Sequence, residues 1–160
     1  MAAGKKKIEP RKKVVLASGV FDLLHLGHVR FLEEAKKAGG KNAKLIVIVA
    51  RDSTVEKRKG SRPVIPENQR RALVESLKVV DEAILGYEDF NISKVIEKIK
   101  PDVIAVGHDQ DGMEKVVKDY VREKRLKINV VKIGKFGEDE LDSSSKIKQK
   151  IIEHYRRRGG

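Results

Sequence analysis

His25 and His28 lie three residues apart, with Gly27 between them, at the end of the segment Gly19-Val20-Phe21-Asp22-Leu23-Leu24-His25-Leu26-Gly27-His28. Gly19 permits a sharp turn and lets a ligand come close to the main chain. Asp22 is a carboxylate within an apolar stretch. The histidines fall where a helix opens, and a helix N-terminus offers unpaired amides and the positive end of its dipole, which suits phosphate. Two imidazoles placed there can donate to the same phosphate oxygens. Taken alone, His-x-x-His also fits two ordinary histidines at a helix start. The ordered set Gly-x-Phe-Asp-x-x-His-x-Gly-His is more specific than either half. A zinc site needs more ligands than this segment supplies, and the chain has no cysteine to add one.

Other residues able to meet a phosphate lie further along. Ser143, Ser144 and Ser145 precede Lys146 at the start of the last helix-like segment. As a set they read as a helix cap, and a capped helix start beside a lysine is also a phosphate cradle. Lys57, Arg58 and Lys59 form a charge run, and Asp109 follows Gly107 closely enough to form an Asx turn or to meet a ligand.

These residues need a scaffold. Val14–Ala17, Leu45–Ala50, Glu82–Leu85, Val103–Val106 and Asn129–Ile133 are short apolar runs that read as strands, several of them apolar on both faces as buried parallel strands are. Helical patterns run from Gly27 to about Lys37, from Glu67 behind Pro66 to about Lys78, from Ile92 to Ile99, from Met113 to Glu123 and from Ser144 to about Arg157. In the fourth helix Val116, Val117 and Tyr120 should share the buried face. In the last, Ile147, Ile151 and Ile152 should be buried. The Gly134–Asp142 stretch reads as a loop. The alternation predicts an α/β fold: one Rossmann-like, doubly wound domain with a five-stranded parallel sheet flanked by helices. Ligands of such sheets bind outside the carboxyl ends of the strands, which here are Ser18–His28, Arg51–Ser61, Gly107–Gly112 and Gly134–Ser145.

The chain has 160 residues, enough for one domain with a real core. The net charge of +12 is concentrated in two tails. Residues 1–13 and 144–160 each contribute +5, and the 130 residues between them only +2. We read residues 1–12 as a flexible basic arm, 13–157 as the domain and 158–160 as a disordered end. No apolar stretch follows the charges of the N-terminus, and no run approaches the roughly 20 apolar residues of a membrane span. The reading is a cytoplasmic protein without a membrane partner. The basic tails raise nucleic acid as a partner, but aromatic residues are only 4% of the chain, which leaves few stacking platforms and argues against it.

The Gly19–His28 segment resembles the signature of the cytidylyltransferase-like nucleotidyltransferases, and Ser143-Ser144-Ser145-Lys146-Ile147 is similar to that superfamily's second motif. The stretches Val47–Asp52, Val55–Gly60, Arg62–Arg70, Val80–Gly86, Pro101–Ile104 and Gly107–Gln110 resemble archaeal FAD synthases. The resemblance runs from about Val14 to Ile152. It implies transfer of AMP from ATP to FMN, giving FAD and pyrophosphate, with magnesium or another divalent cation accompanying ATP and no direct protein cage for it. It also implies a homodimer.

On this resemblance the catalytic residues are His25, His28 and Lys146. The nucleotide-binding residues are Gly19, Val20, Phe21, Asp22, His25, Leu26, Gly27, His28, Lys57, Arg58, Arg70, Gly107, Asp109, Ser143, Ser144 and Ser145. Asp22 would orient its loop or help hold magnesium indirectly, and Asp109 would read the base or ribose. Two departures stand out. Val20 occupies a position often held by threonine, and Lys135-Phe136-Gly137-Glu138-Asp139 stands where cytidylyltransferases carry an arginine-containing stretch. The alternatives are CTP-dependent cytidylyl transfer to glycerol-3-phosphate or a similar polyol phosphate, and a non-catalytic nucleotide- or RNA-binding module.

Overall fold

A computed structural model describes residues 4–135 and 141–159. The expected strands form: β-branched and leucine side chains of the three inner strands are mostly buried, and the two edge strands are partly buried. They are β1 (Val14–Gly19), β2 (Lys44–Val49), β3 (Glu82–Leu85), β4 (Val103–Gly107) and β5 (Asn129–Ile133). They pair in the order β3-β2-β1-β4-β5, all parallel. The order reverses between β1 and β4, so the crevice that takes ligands in such sheets opens beside Gly19 and Gly107, at the ends of these two strands.

Helices α1 (Leu26–Ala38), α2 (Asp52–Lys59), α3 (Glu67–Glu75), α4 (Ile92–Ile99), α5 (Asp111–Glu123) and α6 (Ser144–Arg158) complete the described elements. One core joins Val15, Ala17, Leu45 and Val47 of the sheet to Leu32 and Ala35 of α1 and Val74 of α3. The opposite face joins Leu16, Ile104 and Val106 to Val95 and Ile96 of α4 and Val117 of α5. Side chains alternate across each strand, so the two cores share one sheet.

Several expectations are corrected. α2 lies in the Arg51–Ser61 stretch, to which the sequence pattern assigns no helix; it buries only Val55, so it has no apolar periodicity to read. α3 stops at Glu75 with Ser76 as its C-cap, short of Lys78. α5 begins two residues before Met113, and Val116 is exposed on it while Val117 is buried. α6 buries no side chain. Ile151 and Ile152, expected inside, are 47% and 45% exposed, because α6 meets the domain through its first turns. It runs to Arg158, one residue beyond the expected end.

Residues 4–12 of the arm are exposed, as is Lys13, whose carbonyl accepts from the Lys44 amide at 2.8 Å. Arg11 pairs with Asp102 at 2.6 Å. The first three residues of the arm, Phe136–Glu140 of the Gly134–Asp142 loop and Gly160 lie outside the described residues. Among the described residues no helix is long and apolar enough to cross a membrane.

Candidate active site

The chain leaves β1 at Gly19 and enters α1 with His25 as N-cap. Between them Phe21 (φ 55°) and Leu23 (φ 48°) adopt left-handed backbone. Such strain in ordinary residues persists only where the surroundings hold it, and the restraints are visible. The Phe21 ring is buried and tilts against His28, with centroids 5.4 Å apart. A Cβ on Gly19 would lie 3.0 Å from that ring, so a larger residue there would press on Phe21 where it folds back over the strand end.

Asp22 is buried beside them, and its carboxylate accepts from the amides of Val64 (2.8 Å) and Ile65 (2.9 Å). Burial pushes its pKa up, but these two amides and the nearby Lys148 outweigh that and leave it below the ordinary value. The carboxylate therefore ties the Gly19–His28 loop to the Val64–Ile65 segment leading into α3.

Arg70 completes this framework. The resemblance places it among the nucleotide contacts, yet its side chain is fully buried. It donates to the Ile65 carbonyl (2.8 Å), the Val20 carbonyl (2.6 Å) and Asp52 Oδ1 (2.6 Å). With its nitrogens directed to these groups, Arg70 clamps the loop from behind and presents no charge to the crevice. Asp52 and Glu67 are cross-linked in turn, since Glu67 accepts from the Asp52 amide at 2.6 Å.

The imidazoles of His25 and His28 stack with centroids 3.7 Å apart. The His25 amide donates to His28 Nδ1 at 3.3 Å, so Nδ1 is an acceptor and the His28 proton sits on Nε2. Burial, and then the neighbouring His25, lower the His28 pKa to about 4. Burial lowers His25 as well, against the pull of Asp142. Both rings are thus neutral near pH 7, and they are donors through N–H rather than through charge. Gly27 is required for a different reason from Gly19: a Cβ there would meet His25 Nδ1 at 2.9 Å and the Asp142 carbonyl at 3.0 Å.

α6 begins against the same loop. Ser143 caps it, its hydroxyl accepting from the Lys146 amide at 3.2 Å. Ser144 Oγ donates to the Asp22 carbonyl. Ser145 and Lys146 are exposed. Lys146 Nζ lies 2.7 Å from Asp142 Oδ1, and this pairing holds the Asp142 carboxyl below its ordinary value. Among the described residues His25 Nδ1 is buried without a hydrogen-bond partner, and Asp142 Oδ2, which has none either, lies 3.4 Å from the Lys135 ammonium.

The structure therefore brings Gly19, Val20, Phe21, Asp22, His25, Leu26, Gly27 and His28 together with Ser143, Ser144, Ser145 and Lys146. Gly107 ends the adjacent β4, and Asp109 lies near enough to act electrostatically on His28. Of the charge run on α2, Arg58 borders a cleft beside Gly19, and Lys57 and Lys59 are absent from its lining. Two residues escaped the sequence reading. Asp142 is a single acid beside a serine run with no motif around it. Gln110 joins β4 to β1, accepting from the Gly107 amide (2.9 Å) and donating to the Ser18 carbonyl (3.3 Å).

Comparison with known proteins agrees with this geometry. A cytidylyltransferase-like family model matches residues 16–150. An FAD synthase of Methanothermus fervidus is 51% identical over 85% of this chain and 92% of its own. An FAD synthase of Methanopyrus kandleri is 48% identical over 91% and 95%. Among solved structures, the lipopolysaccharide core biosynthesis protein of Thermoplasma volcanium is 42% identical, with a TM-score of 0.71 over 79% of this chain and 100% of that one. The chain belongs to the cytidylyltransferase-like family, alongside the archaeal FAD synthases.

Proposed function

We propose that the chain is an adenylyltransferase that joins AMP from ATP to FMN, giving FAD and pyrophosphate. The observation that carries this is the convergence of two helix N-termini, those of α1 and α6, on one loop through the Ser144–Asp22 bond, in a chain about half identical to FAD synthases. An FMN phosphate oxygen attacks the α-phosphorus of ATP, forming the new O–P bond. The bond from that phosphorus to the bridging oxygen breaks, and its electrons leave with pyrophosphate.

The protein's work is positioning and stabilisation of charge. His25 and His28 donate N–H to the oxygens of the reacting phosphate. The amides of Val20 and Phe21 and the start of α1 at Leu26 and Gly27 line the triphosphate path. Ser145 and Lys146 meet the outer phosphates, Lys146 exchanging Asp142 for phosphate, while Ser143 and Ser144 hold the end of α6 in place. Arg58 is the member of the α2 charge run assigned to phosphate, and Asp109 beyond Gly107 is assigned to ribose or base. Asp22 and Arg70 act by holding the loop. Among the described residues no group of three His, Cys, Asp or Glu side chains is placed to hold a metal ion. A magnesium ion accompanying ATP would take its oxygens from the triphosphate and water, an ordinary arrangement for that ion.

Incubation of the purified protein with FMN, ATP and magnesium should yield FAD on chromatography. Absence of FAD in both oxidising and reducing buffer rejects the proposal. ATP should also raise the melting temperature more than CTP does, because a ligand bound only by the folded state stabilises it; the opposite order favours cytidylyl transfer. The proposal includes a homodimer covering Ile151, Ile152 and Tyr155 on α6, which sedimentation velocity tests.

A further inference from the structure

Strands β1 and β4 pair as Val15 with Val103, Leu16 with Ile104 and Ala17 with Ala105, and there their ladder ends. Each runs two residues further, held by its other neighbour. β1 stays paired with β2 as far as Gly19 opposite Val49, and β4 with β5 as far as Gly107 opposite Ile133. The two strand ends therefore part where the strand order reverses, and main-chain groups that face the gap need other partners.

The side chain of Gln110 spans this gap. Its Oε1 accepts from the Gly107 amide at 2.9 Å, and its Nε2 donates to the Ser18 carbonyl at 3.3 Å. The orientation of the amide is fixed by chemistry. The Gly107 N–H can only donate, so the oxygen must face it and the NH2 must face the Ser18 carbonyl. Gln110 thus stands in for a rung of the ladder where the two main chains have separated. A tight turn puts it there: its own amide donates to the Gly107 carbonyl at 3.1 Å, and as N-cap of α5 its carbonyl accepts from the Glu114 amide at 2.9 Å. A Cβ on Gly107 would lie 3.2 Å from Asp109 Oδ1 and 3.3 Å from Gln110 Oε1, so a side chain at that position would press on both. Asp109 rides on the same turn, near enough to act electrostatically on His28. On the other side of the gap, Ser18 leads directly into Gly19 and the loop that carries Asp22, His25 and His28.

We propose that Gln110 is a positioning residue: by bridging Ser18 and Gly107 it fixes the distance between the loop after β1, which faces the triphosphate, and the loop after β4, which faces the nucleoside. One nucleotide can then occupy both loops at once with its α-phosphorus at His25 and His28. Gln110 acts through the main chain of its two partners. A carboxamide of this length suits the task, since asparagine is one methylene shorter and glutamate has no donor when ionised. The proposal rests on the adenylyl-transfer reading for the identity of the nucleotide.

Calorimetric titration of the full chain with ATP, tripolyphosphate and adenosine tests it. Gln110→Ala should weaken ATP binding about tenfold and leave tripolyphosphate and adenosine within about twofold of wild type, because a joined ligand gains from two sites only where their spacing suits it. Retained binding of the fragments also shows that the variant folds. Gln110→Glu keeps the size and the acceptor but sets a carboxylate oxygen against the Ser18 carbonyl. It should behave as Gln110→Ala does, whereas a side chain that only filled space would tolerate the change. In assays of FAD formation both variants should lose about 10²-fold in kcat, the scale of a reacting atom misplaced by about 1 Å.

Unchanged ATP affinity in Gln110→Ala, an equal loss of affinity for ATP and for either fragment, or wild-type behaviour of Gln110→Glu would each overturn the assignment. FAD formation by the wild type combined with unchanged ATP binding in the variants rejects the bridge alone. The expected binding pattern without FAD formation by the wild type rejects the reaction and keeps the bridge.

Discussion

The hydroxyl of Ser144 donates to the main-chain carbonyl of Asp22. The bond fastens the start of α6 to the loop that enters α1, although the residues are 122 positions apart. Asp22 is itself held by the Val64 and Ile65 amides. The spacing between the starts of α1 and α6 therefore depends on one serine and one carboxylate. Ser144→Ala should lower kcat/KM for ATP about tenfold, the scale of one lost hydrogen bond between ordered elements, and Ser144→Thr should recover most of it. Initial rates against ATP concentration read the difference.

His28 is the sharpest test of the chemistry. Its Nδ1 accepts from the His25 amide, so Nε2–H is free to face phosphate. His28→Ala should slow adenylyl transfer by about 10²–10³-fold, the effect of removing one donor to developing charge. The variant should stay folded at pH 7.5, its unfolding midpoint lowered by no more than the lost ring contacts with His25 and Phe21. A rate within threefold of wild type would remove His28 from the mechanism.

The same residue sets a pH dependence of stability. Its folded pKa is about 4, below the ordinary value of 6.5, so between those pH values the unfolded chain binds more protons. Stability then falls as pH drops from about 6.5 towards 4. His28→Gln keeps an uncharged polar side chain and should flatten that part of the curve, measured by urea unfolding at half-unit steps. Asp22 titrates in the same sense at lower pH: its pKa is depressed, so its contribution is present above the unfolded value and lost as pH falls through the folded one.

Arg70 should behave as a structural clamp. Arg70→Met leaves the carboxylate of Asp52 and the carbonyls of Val20 and Ile65 without their donor, at a cost of about 3–5 kcal/mol in unfolding free energy. Where the variant remains folded, the KM for ATP and kcat should both worsen, because the Gly19–His28 loop loses its support. An Arg70→Met protein of wild-type stability would contradict the buried geometry.

Much of the fold was legible in the sequence because its strands are continuous apolar runs, a pattern that only a doubly covered parallel sheet buries. α2 was not legible, since a helix that buries only Val55 leaves no periodic trace. The exposure of Ile151 and Ile152 was hidden for the converse reason: an apolar stripe shows that a face wants covering and not what covers it. Gly19, Asp22, His25, Gly27 and His28 stood out as candidates because they are local and ordered in one segment.

The sequence by itself determined the five strands, the helices other than α2 and the kinds of side chain set at the starts of α1 and α6, because all of these are local patterns. Only the tertiary structure decided that Arg70 is buried behind the loop, that Ser144 binds Asp22 and that Asp142 pairs with Lys146. Those relations depend on which strand ends the parallel sheet brings side by side, and contacts across that edge join residues whose separation in sequence carries no period or spacing to reveal them.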